Sequence, residues 1–183
     1  MPEAVDMVRE DHEKVKDLFE EFEKAEEDDE KGQIVRAALN ALEIHATLEE
    51  EIFYPAVREQ IENDDLMDEA LEEHHVAKLL MGELQEMQPG DDHFEAKFKV
   101  LAESVKHHIE EEESEMLPKT RKMDLDEERL GEEMTQRKQE LQGQKGAGAR
   151  RKFSTGKAAR RPALAKTKAA AKKNSKTKYR QPA

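Results

Sequence analysis

The sequence predicts an all-α protein: an up-down-up-down four-helix bundle with an extra C-terminal helix and a disordered basic tail. Apolar residues recur at spacings of three and four in four successive stretches, as they do along one face of an α-helix. The polar breaks between the stretches are short, so consecutive helices should be antiparallel neighbours. Aromatic residues make up only 4% of the chain, which favours an aliphatic helical core over a β-sandwich.

Each helical stretch has an apolar stripe on one face. The stripes consist of Val5, Val8, Val15, Phe19 and Phe22; of Ile34, Ala38, Ala41, Leu42 and Ile52; of Met67, Ala70, Ala77, Met81 and Leu84; and of Phe94, Phe98, Leu101, Val105 and Met116. Polar residues interrupt every stripe. The first and third stretches each contain one such residue, and the second and fourth each contain a His and a Glu four residues apart. These residues are His12, His45, Glu49, His74, His108 and Glu112. We expect all six to point into the core.

The breaks between the helices have the composition of loops. They lie at about residues 26–32, 62–65 and 88–92. In the last break, Pro89 and Gly90 are predicted to end one helix, and Asp91 or Asp92 to cap the next.

The C-terminal third differs from the rest in composition. Residues 1–142 contain all 44 acids and 17 of the Lys and Arg residues, whereas residues 143–183 contain 14 bases and no acid. We predict a bundle over 1–122, a loosely docked acidic helix over 123–142 with a thin apolar stripe, and a disordered Lys/Arg/Ala-rich tail over 143–183. Such a tail can bind nucleic acid without sequence preference. The alternatives are a solubilising tail and one that folds back on the acidic body.

An internal repeat relates the two halves of the predicted bundle. Residues 44–55 (IHATLEEEIFYP) match 107–118 (HHIEEEESEMLP), and residues 11–18 match 73–80. The repeat pairs His45 with His108 and His12 with His74, which indicates two helical hairpins of one design. Pro55 and Pro118 end the matched segments, and each should kink or end its helix because it lacks a backbone donor.

The residues that are absent exclude several classes of protein. Without Cys there can be no disulfide, thiolate nucleophile, iron–sulfur cluster or cysteine zinc site. The first residues, MPEAVDMVREDHE, lack the basic start and apolar run of a signal peptide, and no stretch reaches the roughly 20 apolar residues of a membrane span. We therefore expect a cytoplasmic protein with no membrane partner.

Four histidines and two carboxylates at one depth in a core are costly to bury unless a cation compensates them. Six such side chains exceed the three or four protein ligands of a single zinc ion, so two ions with carboxylates between them fit better. Imidazole and carboxylate without sulfur suit iron, manganese or zinc, and the residues alone do not choose among these metals.

Several neighbouring residues have alternative roles. His75 and His107 lie about 100° around the helix from the predicted ligands and could exchange roles with them, although the repeat favours the predicted set. The carboxylates of Glu50, Glu73 and Glu113 are candidates to complete the metal coordination or to hydrogen-bond a ligand histidine. Tyr54 lies near Pro55 and could approach the site, although we favour ordinary packing for it. For the loop residue His93 we expect a solvent-facing position.

The order and spacing of the six residues, with a proline after each His and Glu pair, resemble the hemerythrin HHE cation-binding family over about residues 3–120. The resemblance implies a non-haem centre of two iron ions, in preference to zinc or manganese, bridged by Glu49 and Glu112. It assigns His12 and His45 to one iron and His74 and His108 to the other.

The function that the resemblance implies is the binding or processing of oxygen, peroxide or nitric oxide, in oxidative-stress response or sensing. Peroxide decomposition is the enzymatic form of this function. An iron or oxygen sensor and a DNA-associated protectant are the non-enzymatic alternatives. The chain departs from the oxygen carriers at Lys78, where they have a fifth histidine, and in the four-residue spacing from His108 to Glu112, where they place an aspartate five residues on. Reversible oxygen carriage is therefore not expected.

Overall fold

The computed structural model describes residues 3–61 and 64–152, and every regular element within these ranges is a helix. Two antiparallel hairpins, the first pair of long helices and the second, pack together as a bundle. The predicted all-α bundle is confirmed. The helices are α1 (Ala4–Lys24), α2 (Asp28–Leu48), α3 (Tyr54–Arg58), α4 (Asp64–Gln85), α5 (Phe94–Glu111), α6 (Leu117–Thr120) and α7 (Glu127–Lys152).

Helices α2 and α5 each pass into the following short helix through a five-residue π-helical segment. In the first segment the backbone N–H of Tyr54 donates to the carbonyl of Glu49, five residues earlier. Proline follows at once, and because it has no N–H and clashes with the carbonyl four residues back, a wider turn relieves the conflict. Pro55 and Pro118 were predicted to kink or end their helices. Neither ends the helical path, since the short helices α3 and α6 continue past both. The segments are Glu49–Phe53 and Glu112–Met116.

The loop before α5 differs in detail from its prediction. Helix α4 already ends at Gln85, and Gly90 has a φ of 87°, a left-handed conformation that suits glycine. The Asp91 carboxylate accepts a hydrogen bond from the backbone N–H of Gln88, which closes the turn. Helix α5 starts after His93 and has no side-chain cap, so the predicted capping by Asp91 or Asp92 is wrong.

The apolar core consists of two clusters separated by a polar layer. On α1, for example, Val8 belongs to one cluster and Val15 to the other, and His12 lies between them. The rings of Phe19 and Phe22 meet Phe98 in the first cluster, at centroid distances of 5.7 and 4.4 Å. The second cluster contains Phe53, Met67, Met116 and Leu117, all essentially inaccessible to solvent. The polar layer is thus closed by apolar side chains on both sides along the bundle axis.

Helix α7 docks firmly on the bundle, which corrects the expectation of a loose extension. Leu130 and Met134 are 4% and 1% exposed and join the second core cluster. Arg137 Nε donates to Glu51 at 2.7 Å, and Lys138 Nζ donates to Asp11 at 2.6 Å. The apolar stripe is as thin as predicted, but two fully buried side chains and these ion pairs are enough to fix the helix.

The boundaries of the C-terminal segments also differ from those predicted. The helix begins at Glu127, four residues later than expected, and its backbone continues to Lys152, into the segment predicted to be disordered. The remainder of that segment, residues 153–183, lies outside the described residues. Among the described helices, none is both long and apolar enough to span a bilayer.

Two glycines allow a matched test of the packing between α2 and the loop before α5. A Cβ on Gly32 would lie 2.5 Å from Pro89 Cγ, whereas a Cβ on the exposed Gly82 in α4 would meet nothing within 4 Å. We expect Gly82→Ala to raise the free energy of unfolding by about 0.5–1 kcal/mol through helix propensity. Gly32→Ala should lower it by about 1 kcal/mol or more because the site becomes overpacked. Chemical denaturation measures both free energies of unfolding. Equal stabilisation of the two variants would show that the loop before α5 moves readily to accommodate the added methyl group.

Candidate metal centre

All six predicted ligand residues meet in the polar layer between the two core clusters. Each is at most 5% exposed. His12 comes from α1, His74 from α4, and each His and Glu pair from the junction of a long helix with its π-helical segment. The contacts between them are His12 Nε2 to Glu112 Oε2 at 3.1 Å, His45 Nε2 to Glu49 Oε2 at 3.1 Å, His74 Nε2 to Glu49 Oε2 at 3.3 Å, and His108 Nε2 to Glu112 Oε2 at 3.6 Å.

The donor atoms fall into two groups, each compact enough to surround one cation. The ligand atoms within each group lie within 4.8 Å of one another. Glu49 belongs to both groups, and Glu112 in the first group also approaches His108 of the second. The groups are His12, His45, Glu49 and Glu112, and Glu49, His74 and His108. This division matches the sequence prediction, which paired His12 with His45 and His74 with His108.

Unsatisfied polar atoms indicate that a cation belongs here. His12 Nε2, His45 Nε2, Glu49 Oε1 and Glu112 Oε2 are buried and have no hydrogen-bond partner among the described residues. Buried polar atoms are normally paired, because leaving them bare costs their full desolvation penalty. If two ligand atoms each lie about 2.1 Å from one metal ion, with an angle of about 90° between the two bonds, the atoms are about 3 Å apart. The nitrogen–oxygen distances between the His and Glu side chains are close to this value. The residues therefore fit bound metal.

Three further glutamates orient the buried histidines. Each accepts a hydrogen bond from a histidine Nδ1–H, which leaves Nε2 of that ring free to face the centre. The pairs are His12 with Glu113 at 3.0 Å, His74 with Glu50 at 2.9 Å, and His108 with Glu73 at 2.7 Å. Of the two roles that the sequence left open for these glutamates, the structure gives the hydrogen-bonding one.

Lysines neutralise two of the three orienting glutamates. Lys16 Nζ donates to Glu113 at 3.0 Å, and Lys78 Nζ donates to both oxygens of Glu50 at 2.6 and 2.5 Å. Burial raises the pKa of Glu50 and of Glu113, but the hydrogen bonds from lysine and histidine outweigh it, so both pKa values are lowered. Lys78, at the position of the oxygen carriers' fifth histidine, therefore faces an outer carboxylate and not the centre.

Tyr54 lies in the centre, although ordinary packing was the favoured prediction for it. Its hydroxyl donates to Glu112 Oε1 at 2.7 Å and is 3.4 Å from His74 Nε2. Burial and the charges of Glu49 and Glu112 raise its pKa well above the usual value. A helical repeat of 3.6 residues does not bring residue i+5 over residue i, but a π-helical turn does, and this turn brings Tyr54 over Glu49. The proline after Tyr54 was the signal available in the sequence.

The remaining histidines face solvent. His75, His93 and His107 are all exposed, whereas His74 and His108, the neighbours favoured from the sequence, are buried in the polar layer.

A small cavity reaches the centre between α2, α4 and α5. Its volume of about 20 Å³ accommodates about one water-sized molecule. Imidazoles of His45, His74 and His108 form one wall, and apolar side chains, including Ala77 and Met81, form much of the rest. The cavity could admit a molecule of two or three heavy atoms but not a larger substrate.

The charges in the centre are strongly coupled. Burial raises the pKa of Glu49 well above its usual value, and the adjacent Glu112 raises it further. Burial would also raise the pKa of Glu112, but the adjacent His12 and the other imidazoles around it lower it strongly. For His12 and His108 burial lowers the pKa, yet the nearby carboxylates outweigh it and the net shift is upward. The pKa of His45 is lowered well below its usual value by burial and by the other histidines.

These shifts predict that metal binding displaces protons. The raised pKa values of Glu49, His12 and His108 favour the protonated forms of these groups in the metal-free protein, and ligation must remove the protons. Titrating metal-free protein with Zn²⁺ in weakly buffered solution, with a pH indicator, should therefore release protons. The release should decline as pH rises through the raised pKa values. Release that did not change with pH would contradict the upward shifts.

Comparison with known proteins agrees with this geometry. The family model for the hemerythrin HHE cation-binding domain matches residues 3–120. A DNA nickase from Nostoc sp. is 30% identical over 109 residues, which cover 60% of this chain but only 31% of that relative. The chain thus spans about a third of that relative's length.

A solved structure shows the same fold. The crystal structure of a hemerythrin HHE cation-binding domain-containing protein from Mycobacterium kansasii, a homolog of Rv2633c, superposes with a TM-score of 0.69 and 23% identity, covering 84% of this chain and 94% of that one. The family match over residues 3–120 establishes that the chain belongs to the hemerythrin HHE cation-binding domain family.

Proposed function

We propose that the chain is a non-haem di-iron protein that binds or processes oxygen, peroxide or nitric oxide, in oxidative-stress response or sensing. The observation that carries this proposal is the set of four buried, unpartnered donor atoms at the meeting point of two groups of His and Glu side chains. Cations bound between those groups would satisfy all four atoms at once.

The donor set supports two ions, and family membership favours iron. Glu49 and Glu112 would bridge the ions, with His12 and His45 on one and His74 and His108 on the other. Nitrogen and oxygen donors without sulfur suit iron, zinc or manganese, and membership of the hemerythrin family favours iron among them. When bound, iron would supply redox and Lewis-acid chemistry.

The residues around the centre support a small-molecule substrate. The cavity beside His45, His74 and His108 holds about one water-sized molecule, and oxygen, peroxide and nitric oxide are small enough to enter it. Apolar side chains on both sides of the polar layer keep bulk water away from it. The Tyr54 hydroxyl, whose raised pKa keeps it protonated, holds a proton 2.7 Å from Glu112 Oε1.

The first experiment measures metal content and the optical spectrum before and after air oxidation. We expect about two irons per chain in the protein as purified, with near-ultraviolet absorption that appears on oxidation. His108→Ala should lose the absorption and at least one iron, whereas the exposed neighbour variant His75→Ala should retain both. Zinc, one ion per chain, or no metal in folded protein would contradict the di-iron proposal.

The same samples separate an enzyme from a sensor. Steady oxygen evolution from added peroxide, absent in His108→Ala, would identify peroxide decomposition. Bleaching of the iron absorption without turnover would identify an iron or oxygen sensor, in which metal binding is read out through bundle stability.

A second candidate function is protection of DNA by iron chemistry localised on it. Two observations favour it: one relative is a DNA nickase, and residues 143–183 contain 14 bases and no acid. Dense positive charge binds phosphate backbones by counterion release, without sequence preference.

Truncation tests the role of the tail. A chain ending at Gln142 retains the α7 residues that dock on the bundle, Leu130 and Met134. We expect the full chain to bind duplex DNA with an affinity that falls steeply with salt, and the truncated chain to lose this binding while retaining its metal. Equal binding by the two chains would exclude the tail as the DNA-binding element.

A further inference from the structure

A third group of potential ligands lies at the surface beside the buried centre. Glu73 of α4 and His107 and Glu111 of α5 bring their donor atoms within 4.8 Å of one another. His107 Nε2 is 3.3 Å from Glu111 Oε1 and 3.9 Å from Glu73 Oε1. The pair from His107 to Glu111 repeats, one residue earlier on the same helix, the four-residue spacing of His108 and Glu112 in the buried centre.

The carboxylates of this surface group differ from the other glutamates around the centre, because among the described residues no lysine or arginine side chain pairs with them. Each of the other two orienting glutamates has a lysine: Lys78 on Glu50 and Lys16 on Glu113. Among the described residues no Lys or Arg pairs with Glu73 or Glu111, and the group that faces both carboxylates is the imidazole of His107.

We propose that Glu73, His107 and Glu111 bind a divalent transition-metal cation and load it into the buried centre. One imidazole and two carboxylates form a donor set suited to Fe²⁺, Mn²⁺ or Zn²⁺. Donor separations of 3.3 and 3.9 Å are compatible with a shared ion about 2.1 Å from each donor. The His107 side chain is 65% exposed, so a hydrated cation can reach the site and retain water in its remaining positions.

Glu73 connects this surface site to the centre. Its Oε1 faces His107, while its Oε2 accepts the hydrogen bond from His108 Nδ1 at 2.7 Å. A cation held at the surface is therefore separated from a buried ligand by a single carboxylate, beside the cavity that Glu73 helps to line. The loading role rests on the proposed di-iron centre, but cation binding at the surface does not.

The surface site is tested by equilibrium dialysis of iron-loaded protein against Zn²⁺ at about pH 7.5, where unperturbed histidine is neutral. We expect saturable uptake of one ion per chain beyond the buried centre, with the optical spectrum of the iron unchanged. His107→Ala and Glu111→Gln should lose this uptake, and the matched exposed variants His75→Ala and Glu110→Gln should retain it. Failure to take up an additional ion, or uptake that survives His107→Ala, would overturn the proposal.

The loading role is tested by the rate at which metal-free protein takes up Fe²⁺ anaerobically. The buried centre of His107→Ala should take up iron about tenfold more slowly than that of His75→Ala, yet reach the same final iron content. The reason is that loss of a ligand or ligand partner typically weakens metal binding by about 10–100-fold, which lowers the occupancy of the surface site during loading. Identical rates would overturn the loading role. If wild-type protein took up no iron at the buried centre, the proposed function would fail. Dialysis of the wild type and of His107→Ala against Zn²⁺ would then still decide whether the surface site exists, since the surface ion would be the difference in uptake between the two proteins.

Discussion

The bundle holds four imidazoles and two carboxylates in one buried layer, and burial of ionisable groups costs several kcal/mol per charge unless partners compensate it. Internal hydrogen bonds compensate only part of this cost, because four polar atoms that face the centre have no hydrogen-bond partner among the described residues. The outer glutamates orient His12, His74 and His108 and so leave their Nε2 atoms directed inward. The layer is therefore preorganised for cations, at the expense of the stability of the metal-free bundle.

The two hairpins that build this layer are alike in their ligands and different around them. The π-helical turn of the first hairpin places Tyr54 beside Glu49, whereas the equivalent position of the second hairpin is the buried, apolar Leu117. In the repeat, Asp11 corresponds to Glu73, but Asp11 accepts a hydrogen bond from Lys138 of α7, whereas Glu73 orients His108. The surroundings of the two groups of His and Glu side chains are thus chemically different, and the docked helix α7 contributes to the difference.

Much of the fold and of the inner centre was predictable because it depends on short-range periodicity. The stripe that carries His45 and Glu49 follows the 3.6-residue repeat, so both residues face inward as expected. Tyr54 escaped prediction because the π-helical turn changes that repeat locally. The docking of α7 was underestimated because its apolar stripe is thin. The burial of Leu130 and Met134 depends on a surface formed by other helices.

The helical hairpins, their internal repeat and the six side chains of the polar layer could all be predicted from the sequence, since each follows from spacing along a single helix. The partner that each of these side chains meets depends on how the helices pack together. Glu50, Glu73 and Glu113 could equally have faced the centre, and the packing of one helix against the next turned each towards a histidine Nδ1. Distances between helices depend on the whole core, so contacts across them cannot be read from the periodicity of any one segment.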